Sequence, residues 1–235
     1  MTQTGQLIQT LAVDIGGSGI KVMVLDHAGE PVSDRDRVDT PQPAKPDAII
    51  AVILDLAQDK QFDRVSVGFP GVIKAGVTMT AANLDSDWIG FNLATTLSDL
   101  LGKPVRVIND ADMQGLGAVV GQGVELVVTL GTGVGSALFL DGILIPNLEL
   151  GHHEFRKGAT YEEQLGRAAL DAAGKKKWND RLQKAIASLE HLFNYDTLYL
   201  GGGNTKFINF ELPVNVKIVP NISGLLGGIT LWREK

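Results

Sequence analysis

The sequence predicts an α/β fold in which helices pack on a mixed or parallel sheet. Short aliphatic runs alternate with amphipathic stretches along most of the 235 residues, and this order favours a sheet covered by helices. Two of the strand-like runs, ending near residues 14 and 130, continue through glycine-rich turns into a second strand. The similarity of these two hairpins indicates an internal duplication.

Composition limits the classes of function. Apolar residues make up 44% of the chain, charged residues 20%, and there are 28 glycines, which suits a globular α/β protein with many turns. The net charge of -6 argues against a general nucleic-acid partner. No run approaches the ~20 apolar residues of a membrane span, and no signal-peptide pattern opens the chain, so we expect a cytoplasmic protein with no membrane partner. The absence of cysteine excludes disulfides, thiolate catalysis and cysteine-ligated zinc.

The first hairpin carries a candidate phosphate loop. A strand over residues 7–14 ends at an aspartate, and the following turn is rich in glycine. Glycine lets the backbone approach a ligand closely, and successive N–H groups in such a turn form a concave anion site. An ordinary hairpin turn is the alternative, and the motif is not a P-loop. The candidate phosphate ligands are Asp14, Gly16, Gly17, Ser18, Gly19 and Lys21.

Three further elements precede the central motif. The pattern predicts a helix over residues 47–59 with Asp47 as its cap, and a strand over residues 64–70. An amphipathic helix follows over residues 92–101, and Gly102 is its expected C-cap.

The stretch V-R-V-I-N-D-A-D carries the candidate catalytic group. Alternating apolar residues from Val105 predict a buried strand that opens at Asn109 and Asp110, with a short helix over residues 113–121. Open α/β sheets bind ligands at such strand ends. Asp110 could therefore accept a proton from a bound hydroxyl group, and a nearby helix N-terminus would lower its pKa.

The second hairpin and the segment after it carry further candidates. The turn G-T-G-V-G-S predicts a second anion site, and two such sites facing each other across a cleft could hold a phosphate chain. Glu149 and His152 follow in the motif E-L-G-H, where they could hold hydroxyl groups, although a lone histidine is more often structural. The candidate phosphate ligands of this second turn are Gly131, Thr132, Gly133 and Gly135.

The last third of the chain contains a basic region. Residues 156–184 carry eight basic and four acidic side chains, a local charge of +4 in a chain of -6. This region could receive a polyanion, or it could be a solvated helical face. A helix is predicted over residues 181–193, followed by a strand and a glycine turn, Gly201, Gly202 and Gly203, that would let backbone lie against a ribose or base. The chain then passes through a last strand into a largely apolar helix over residues 223–232, whose glycines suggest close packing.

Taken together, these motifs resemble the ROK family of sugar kinases, and most closely its polyphosphate glucokinase branch. The motifs D-I-G-G-S-G-I-K, G-F-P-G, A-N-L-D-S-D-W, N-D-A-D, L-G-T-G-V-G-S-A, E-L-G-H and L-G-G-G occur in this order across nearly the whole chain. The resemblance implies the actin-like ATPase fold, with two ribonuclease-H-like lobes around a central cleft. Residues 1–108, joined by a C-terminal helix at 222–235, would form the first lobe, and residues 109–221 the second.

The resemblance also implies residue roles. Asp110 matches the catalytic base, Asp14 would contact Mg²⁺ through water, the two glycine turns would hold the donor's phosphates, and Gly201–Gly203 would contact a nucleotide. A further sugar-binding glutamate is Glu162 or Glu163, with Glu163 preferred. Most members carry a cysteine-rich zinc motif after E-x-G-H, whereas the polyphosphate branch and this chain lack it, so we expect no structural zinc. The remaining residues that match sugar ligands are Asn83, Asn109, Glu149 and His152.

The function implied by the resemblance is transfer of a phosphoryl group from polyphosphate, ATP or both to the 6-hydroxyl of glucose, by a homodimer. A strictly ATP-dependent hexokinase acting on glucose, mannose or another hexose is the alternative. An exopolyphosphatase would not need the E-x-G-H motif, and a non-catalytic sugar sensor would not need two intact phosphate loops. The run Lys175–Lys177 is a candidate contact for polyphosphate.

Overall fold

The computed structural model describes residues 8–81, 84–220 and 223–233. The chain divides into two compact units. Unit 1 consists of the residues up to Gly117 together with those from Gly224 onward, and unit 2 of residues Ala118–Ser223. None of the helices in the described ranges is long and apolar enough to cross a membrane.

Unit 1 is built on a five-stranded sheet in the order β3-β2-β1-β4-β7. β1 is antiparallel to β2 and parallel to β4, which is in turn parallel to β7. The short strands β5 and β6 form a separate hairpin. The strands of this unit are β1 (Thr10–Ile15), β2 (Ile20–Leu25), β3 (Asp36–Val38), β4 (Arg64–Phe69), β5 (Ile73–Lys74), β6 (Val77–Thr78) and β7 (Val105–Asn109).

In chain order, α1 (Pro46–Ala57) lies between β3 and β4, α2 (Leu93–Leu101) precedes β7, and α3 (Asp110–Leu116) follows β7. The buried faces of α1 and α2 pack on the buried side chains of the sheet and on Trp88, which has no exposed surface. As predicted, α2 ends at Gly102, which has a left-handed φ of 62°.

Two helix starts differ from the prediction. Asp47 does not cap α1: Lys45 is the N-cap residue and Asp47 lies in the first turn. Pro46 explains the shift, because proline has no N–H to satisfy and its fixed φ suits the first helical position. α3 begins at Asp110 and ends at Leu116, whereas the sequence predicted a helix over residues 113–121.

Unit 2 repeats the topology of unit 1. Its main sheet has the order β10-β9-β8-β13-β14, in which β8 is antiparallel to β9 and parallel to β13. The β8–β9 hairpin therefore occupies the position in unit 2 that the β1–β2 hairpin occupies in unit 1, which bears out the repeat predicted from the two glycine turns. The strands are β8 (Val124–Leu130), β9 (Val134–Leu140), β10 (Ile143–Ile145), β11 (Glu154–Arg156), β12 (Ala159–Thr160), β13 (Thr197–Gly201) and β14 (Val216–Ile218).

Two helices of unit 2 follow the second hairpin. α4 (Tyr161–Leu165) leads into α5 (Arg167–Phe193), which is interrupted at Gly174 by a non-helical conformation with φ 76° and ψ 159°. The helix predicted over residues 181–193 ends at Phe193 as expected but begins earlier, directly after Gly174. Trp178, in the second part of α5, is fully buried, and its indole N–H donates to the carbonyl of Leu165 at 2.8 Å.

The C-terminal segment is less regular than predicted. Instead of one helix over residues 223–232, α6 (Ser223–Leu226) is followed by a 3₁₀ segment over Gly227–Trp232. A side chain at Gly227 would overlap the carbonyl oxygen of Met113 on α3. The close packing predicted from the glycines of this segment is therefore confirmed, and it occurs within unit 1.

Candidate active site

The first candidate phosphate loop lies at the carboxyl end of β1. Asp14 and Lys21 are paired across the β1–β2 hairpin, and the Lys21 ammonium contacts the Asp14 carboxylate at 2.6 Å. Both side chains are only partly exposed, at 31% for Lys21 and 19% for Asp14. Between them, the N–H of Gly16 donates to the carbonyl of Gly19 at 3.0 Å. The hairpin thus presents a lysine, a carboxylate and a tight glycine turn at one point.

Two residues further along the same chain, Arg37 and Thr40, hold the conformation of this loop. Arg37 donates to the carbonyl of Ser18 at 3.0 Å, and the Thr40 hydroxyl donates to the carbonyl of Gly16. A Cβ at Gly19 would lie 2.8 Å from the Arg37 guanidinium. A side chain at position 19 would therefore displace the guanidinium that holds the loop.

Asn109 and Asp110 form the junction between β7 and α3. Asn109 is buried, and its side-chain oxygen accepts hydrogen bonds from the N–H groups of Ala111 and Asp112 at 2.8 and 3.1 Å. Its amide nitrogen donates to the carbonyl of Gly71 at 3.2 Å. Asn109 is thus the N-cap of α3, a role that sequence reasoning missed although asparagine before D-A-D is a capping pattern.

Asp110 is the first residue of α3 and is half-buried. One of its carboxylate oxygens accepts from the N–H of Ala111 at 2.8 Å. The absence of a side chain at Gly68 on β4 allows the start of α3 to pack closely on that strand, because a Cβ there would lie 3.3 Å from the Asp110 Cα. The capped start of α3 therefore holds the Asp110 carboxylate at a defined position.

The phosphate loop and Asp110 lie at the same edge of the unit 1 sheet. The strand register aligns Asp14 with Gly68 and Gly68 with Ile108, across β1, β4 and β7. With strands spaced ~4.8 Å apart, Asp14 and Ile108 are about 10 Å apart. This is the carboxyl edge of the parallel strands, where open α/β sheets bind ligands.

A surface cavity of about 1140 Å³ lies at the opposite edge of the same sheet. Its lining includes Gln9, Asp63 and Lys103, which precede the amino ends of β1, β4 and β7. It is therefore separate from the edge that carries Asp14 and Asp110.

The second candidate phosphate loop lies at the turn between β8 and β9 in unit 2. The N–H of Gly131 donates to the carbonyl of Gly133 at 3.0 Å, as in the first loop, and the N–H of Gly135 donates to the Thr129 hydroxyl at 3.1 Å. Thr132 at the tip is exposed. Each of the two predicted glycine turns is thus closed by a backbone hydrogen bond, from Gly16 to Gly19 in the first and from Gly131 to Gly133 in the second.

The turn Gly201–Gly203 contacts the second phosphate loop. Gly202 has a φ of 88°, and a side chain there would overlap the backbone of Leu130. The Asn204 amide donates to the carbonyl of Gly131 at 2.8 Å. Unit 2 therefore joins the candidate nucleotide-binding turn to the candidate phosphate-binding turn.

Glu149 and His152 are paired around a short 3₁₀ turn. Nδ1 of His152 lies 3.2 Å from the Glu149 carboxylate. A side chain at Gly151 would overlap the carbonyl oxygen of Val134, the first residue of β9, so the motif E-L-G-H packs directly beside the second loop. Burial raises the pKa of the Glu149 carboxyl, His152 opposes this shift, and the charge of Glu162 adds to it.

The structure gives Glu162 and Glu163 different surroundings. The Glu162 carboxylate accepts from the N–H of Val134 at 3.1 Å and is near enough to Glu149 to act on its pKa. Glu163 forms a capping box with Thr160, with hydrogen bonds of 2.8 and 3.1 Å, at the start of α4. The pattern T-x-x-E predicts such a box and could have identified it from the sequence.

Two predicted groups remain to be located. Asn83 lies outside the described residues. For Mg²⁺, no group of three or more histidine, cysteine or acidic side chains converges within the described residues. Mg²⁺ usually takes only one or two carboxylates and completes its shell with water and substrate phosphates, so the single carboxylate of Asp14 beside a phosphate loop fits this ion.

The fold and the site define a class of protein. Two units of the same α/β topology, each with a glycine hairpin at the carboxyl edge of its sheet, form the actin-like ATPase fold, which confirms the predicted fold class. The ROK family profile matches residues 10–161, and the chain belongs to the ROK family.

Relatives and solved structures agree with this assignment. The chain is 35% identical over 236 residues to polyphosphate glucokinase of Mycobacterium tuberculosis (strain ATCC 25618 / H37Rv), a match that covers 92% of this chain and 88% of the relative. The inorganic polyphosphate/ATP-glucomannokinase of Arthrobacter sp. strain KM superposes with a TM-score of 0.85 at 35% identity, covering 96% of this chain and 100% of that chain. A ROK family glucokinase from Streptomyces griseus, solved with glucose and AMPPNP, has the same fold with a TM-score of 0.77 at 20% identity, over 95% and 98% of the two chains.

Proposed function

We propose that the protein transfers the terminal phosphoryl group of inorganic polyphosphate or ATP to the 6-hydroxyl of glucose. The observation that carries this proposal is the Asp110 carboxylate, held by the Asn109 cap at the same sheet edge as the first phosphate loop. The relatives named polyphosphate glucokinase and polyphosphate/ATP-glucomannokinase support the choice of donor and acceptor.

Asp110 is the general base of the proposed reaction. The hydroxyl oxygen of the hexose forms a bond to the terminal phosphorus while the bond from phosphorus to the rest of the donor breaks, and the hydroxyl proton passes to the Asp110 carboxylate. The transition state of such a transfer is loose, so positioning and charge neutralisation supply most of the catalysis. Within unit 1, Lys21 and the N–H groups of the first glycine turn are suited to neutralise that charge.

Glu149 and His152 are the proposed ligands of the sugar hydroxyl groups. A carboxylate accepts hydrogen bonds, and an imidazole donates or accepts according to its tautomer. We assign Glu162 to this set rather than Glu163, because Glu162 acts on Glu149 whereas the Glu163 carboxylate caps α4. Asn109 has one amide hydrogen beyond its bond to Gly71, which supports its role as a further ligand, and Asn83 completes the proposed set.

Mg²⁺ is the proposed metal cofactor, held through the carboxylate of Asp14 and by the donor's own phosphates. When bound, it would neutralise charge on the transferring group. The Lys21 ammonium contacts the same carboxylate, so it holds Asp14 in a fixed orientation.

The structure supports both donors. The Gly201–Gly203 turn beside the second phosphate loop leaves backbone accessible to a nucleotide, which also favours the alternative of a strictly ATP-dependent hexokinase. A coupled assay of glucose and mannose against ATP and polyphosphate separates the two functions. We expect glucose 6-phosphate from both donors, whereas turnover with ATP alone would establish the alternative, and phosphate release without a sugar product would refute the kinase.

Replacing the base tests the mechanism. Asp110→Asn keeps the shape of the side chain but cannot accept the proton, so we expect turnover to fall by about 10²–10⁴-fold while the dissociation constant of glucose stays within about threefold. Steady-state kinetics and calorimetry measure the two quantities. The exposed Asp99 on α2 gives the matched control, Asp99→Asn, which should leave both unchanged. Near-normal turnover of Asp110→Asn would contradict the assignment.

A further inference from the structure

Three cationic side chains of unit 2 gather around one aromatic ring. The guanidinium carbon of Arg167 and the ammonium nitrogens of Lys175 and Lys206 lie 5.8, 5.0 and 5.1 Å from the centroid of Phe207. These four residues are called the cation cluster below. All three cations are exposed, and the ring between them is half-buried. Each distance is within the ~6 Å range of cation–π attraction, so the ring offsets part of the repulsion between the charges.

The cation cluster is attached to the second phosphate loop on two sides. The N–H of Arg167 donates to the carbonyl of Thr132 at the tip of the loop, at 3.1 Å. Asn204, which precedes Lys206 on the same short segment, donates to the carbonyl of Gly131 at 2.8 Å. The segments that carry the cation cluster are therefore in direct contact with the second candidate phosphate loop.

A buried asparagine ties the two halves of the cluster together. Asn179 is 4% exposed, and its amide donates to the carbonyls of Lys175 at 2.8 Å and Phe207 at 3.0 Å. Its oxygen accepts from the N–H of Asn209 at 3.1 Å. The segment that carries the ring and the helical turn that carries Lys175 are thus held by one side chain whose cost of burial is offset by three hydrogen bonds.

The break in α5 adds to the positive character. Gly174 separates the helix into two parts, so Lys175 stands in the first turn of the second part, which continues to Phe193. The N-terminal end of a helix carries partial positive charge. A lysine is electrostatically unfavourable there unless an anion is nearby.

The charges of the cluster are only partly compensated by the protein. Arg167 forms an ion pair with Asp171 at 2.9 Å. Within the ranges that the structure describes, Lys175 and Lys206 form no ion pair. Two exposed ammonium groups, on segments that are tied to the candidate phosphate loop, form a surface that attracts a polyanion.

We propose that the cation cluster binds the phosphate groups of an inorganic polyphosphate chain that lie beyond the terminal phosphates at the second phosphate loop. The proposal rests on the proposed function, in which that loop holds the phosphoryl donor. A polyphosphate chain carries negative charge along its whole length, so the groups that leave the loop require further cations. ATP ends in a neutral ribose and base, which gain nothing comparable from two ammonium groups. The cluster thus favours polyphosphate over ATP.

Lys176 and Lys177 provide a matched control. They follow Lys175 directly and are equally exposed, but successive helical residues are rotated by about 100°. Neither contacts the ring of Phe207 in the described structure, in contrast to Lys175 and Lys206. The double variants K175A/K206A and K176A/K177A therefore remove the same charge, one from within the cluster and one from outside it.

Calorimetric binding of polyphosphate of defined chain length, at several NaCl concentrations, tests the proposal. We expect K175A/K206A to bind polyphosphate about tenfold more weakly, since two exposed ionic contacts with the chain are lost. Its affinity should also depend less on salt, because fewer charge contacts remain to be screened. The affinity for ATP should change less than about threefold, and K176A/K177A should resemble the wild type for both donors. Circular dichroism verifies that both variants fold.

Two results would overturn the proposal. One is an equal loss of polyphosphate affinity in both double variants, which would assign the effect to general charge. The other is an unchanged polyphosphate affinity in K175A/K206A, or a loss that is the same for ATP. The calorimetric test measures binding and does not depend on turnover. A wild type that binds polyphosphate through the cation cluster but phosphorylates no hexose would therefore refute the proposed function without refuting the proposed binding of polyphosphate by the cluster.

Discussion

At the scale of single residues, Glu149 is partly buried, which disfavours its charged form, whereas its proposed role as a sugar ligand uses the carboxylate. Its carboxylate is drawn out of water by the packing of the E-L-G-H turn, and burial is the main cause of its raised pKa. The charge of Glu162 raises this pKa further, and His152 lowers it only in part. A carboxylate in such surroundings destabilises the folded state when it is ionised, so we attribute its presence at this position to ligand binding.

Glu149→Gln tests this interpretation through the pH dependence of stability. Because the pKa of Glu149 is raised on folding, its contribution to stability is fully present below its ordinary pKa near 4.5 and is lost as the pH rises through the folded-state value. Urea unfolding should therefore find the variant equal to or more stable than the wild type at pH 7, with a difference that shrinks towards pH 4. Glucose binding should weaken.

The exposed carboxylate of Glu154 on β11 supplies the control for this measurement. Glu154→Gln should leave the free energy of unfolding within about 0.5 kcal/mol of the wild-type value at pH 7, as expected for an exposed surface position. If Glu149→Gln were less stable than the wild type at pH 7 and equal to it at pH 4, the assigned cause of the pKa shift would be wrong.

Sequence reasoning identified residue types at the site better than their contacts. It selected Asn109 and Asp110 from a strand end, but it did not find that Asn109 caps α3. Lys175, Lys176 and Lys177 are equivalent in the sequence, yet only Lys175 reaches the Phe207 ring in the described structure. That choice depends on the break at Gly174 and on the fold of the segment around Phe207, which is tied to α5 through Asn179. No local pattern encodes it.

At the scale of elements, strands and glycine turns were the most predictable features. Alternation of apolar residues has a period of two and marks strands directly, which explains why β4 and β7 lie where the sequence predicted them. Helix starts were less predictable, because a proline or an asparagine moves the first turn by a few residues, as at Pro46 and Asn109. Whether a glycine can be replaced depends on its backbone conformation and on the atoms that a side chain there would meet.

Gly202 and Gly203 test that dependence in neighbouring positions. Gly202 has a left-handed φ of 88° and packs on the backbone of Leu130, whereas a Cβ at Gly203 would meet nothing within 4 Å. We expect Gly202→Ala to lower the free energy of unfolding by about 1–3 kcal/mol, from backbone strain and displacement of the second phosphate loop. Gly203→Ala should change it by less than about 0.5 kcal/mol. Equal stabilities of the two variants in urea unfolding would show that the turn does not have this conformation.

At the scale of the whole molecule, the chain builds the same five-stranded topology twice. The repeat was predictable because both copies place a glycine turn after the first strand of the sheet. The return of the C-terminal segment to unit 1 was an implication of the family resemblance and had no signal in hydrophobic pattern alone. It depends on long-range contacts with α3 and β4, such as the one between the Ser66 hydroxyl and the carbonyl of Gly228 at 2.6 Å.

Trp232 is the side chain that fastens this returning segment to the sheet of unit 1. Its indole donates to the Ser66 hydroxyl at 2.8 Å, and the guanidinium carbons of Arg106 and Arg64 lie 4.4 and 5.0 Å from its ring. The ring attracts both guanidinium groups, which lie on neighbouring strands and repel each other. Burial together with the charge of Arg106 lowers the pKa of Arg64. Removing the indole therefore loses packing and exposes this repulsion.

We expect Trp232→Ala to lower the free energy of unfolding by about 2–4 kcal/mol, less than for a fully buried tryptophan because Trp232 is only half-buried. Part of the loss should be recovered at high salt, since added ions screen the repulsion between the two arginines. Urea unfolding at two NaCl concentrations measures both effects, and the exposed neighbour provides the control, Arg233→Ala, which should change stability by less than about 0.5 kcal/mol. A Trp232→Ala protein as stable as this control would mean that the returning segment is held by its glycine packing on α3 alone.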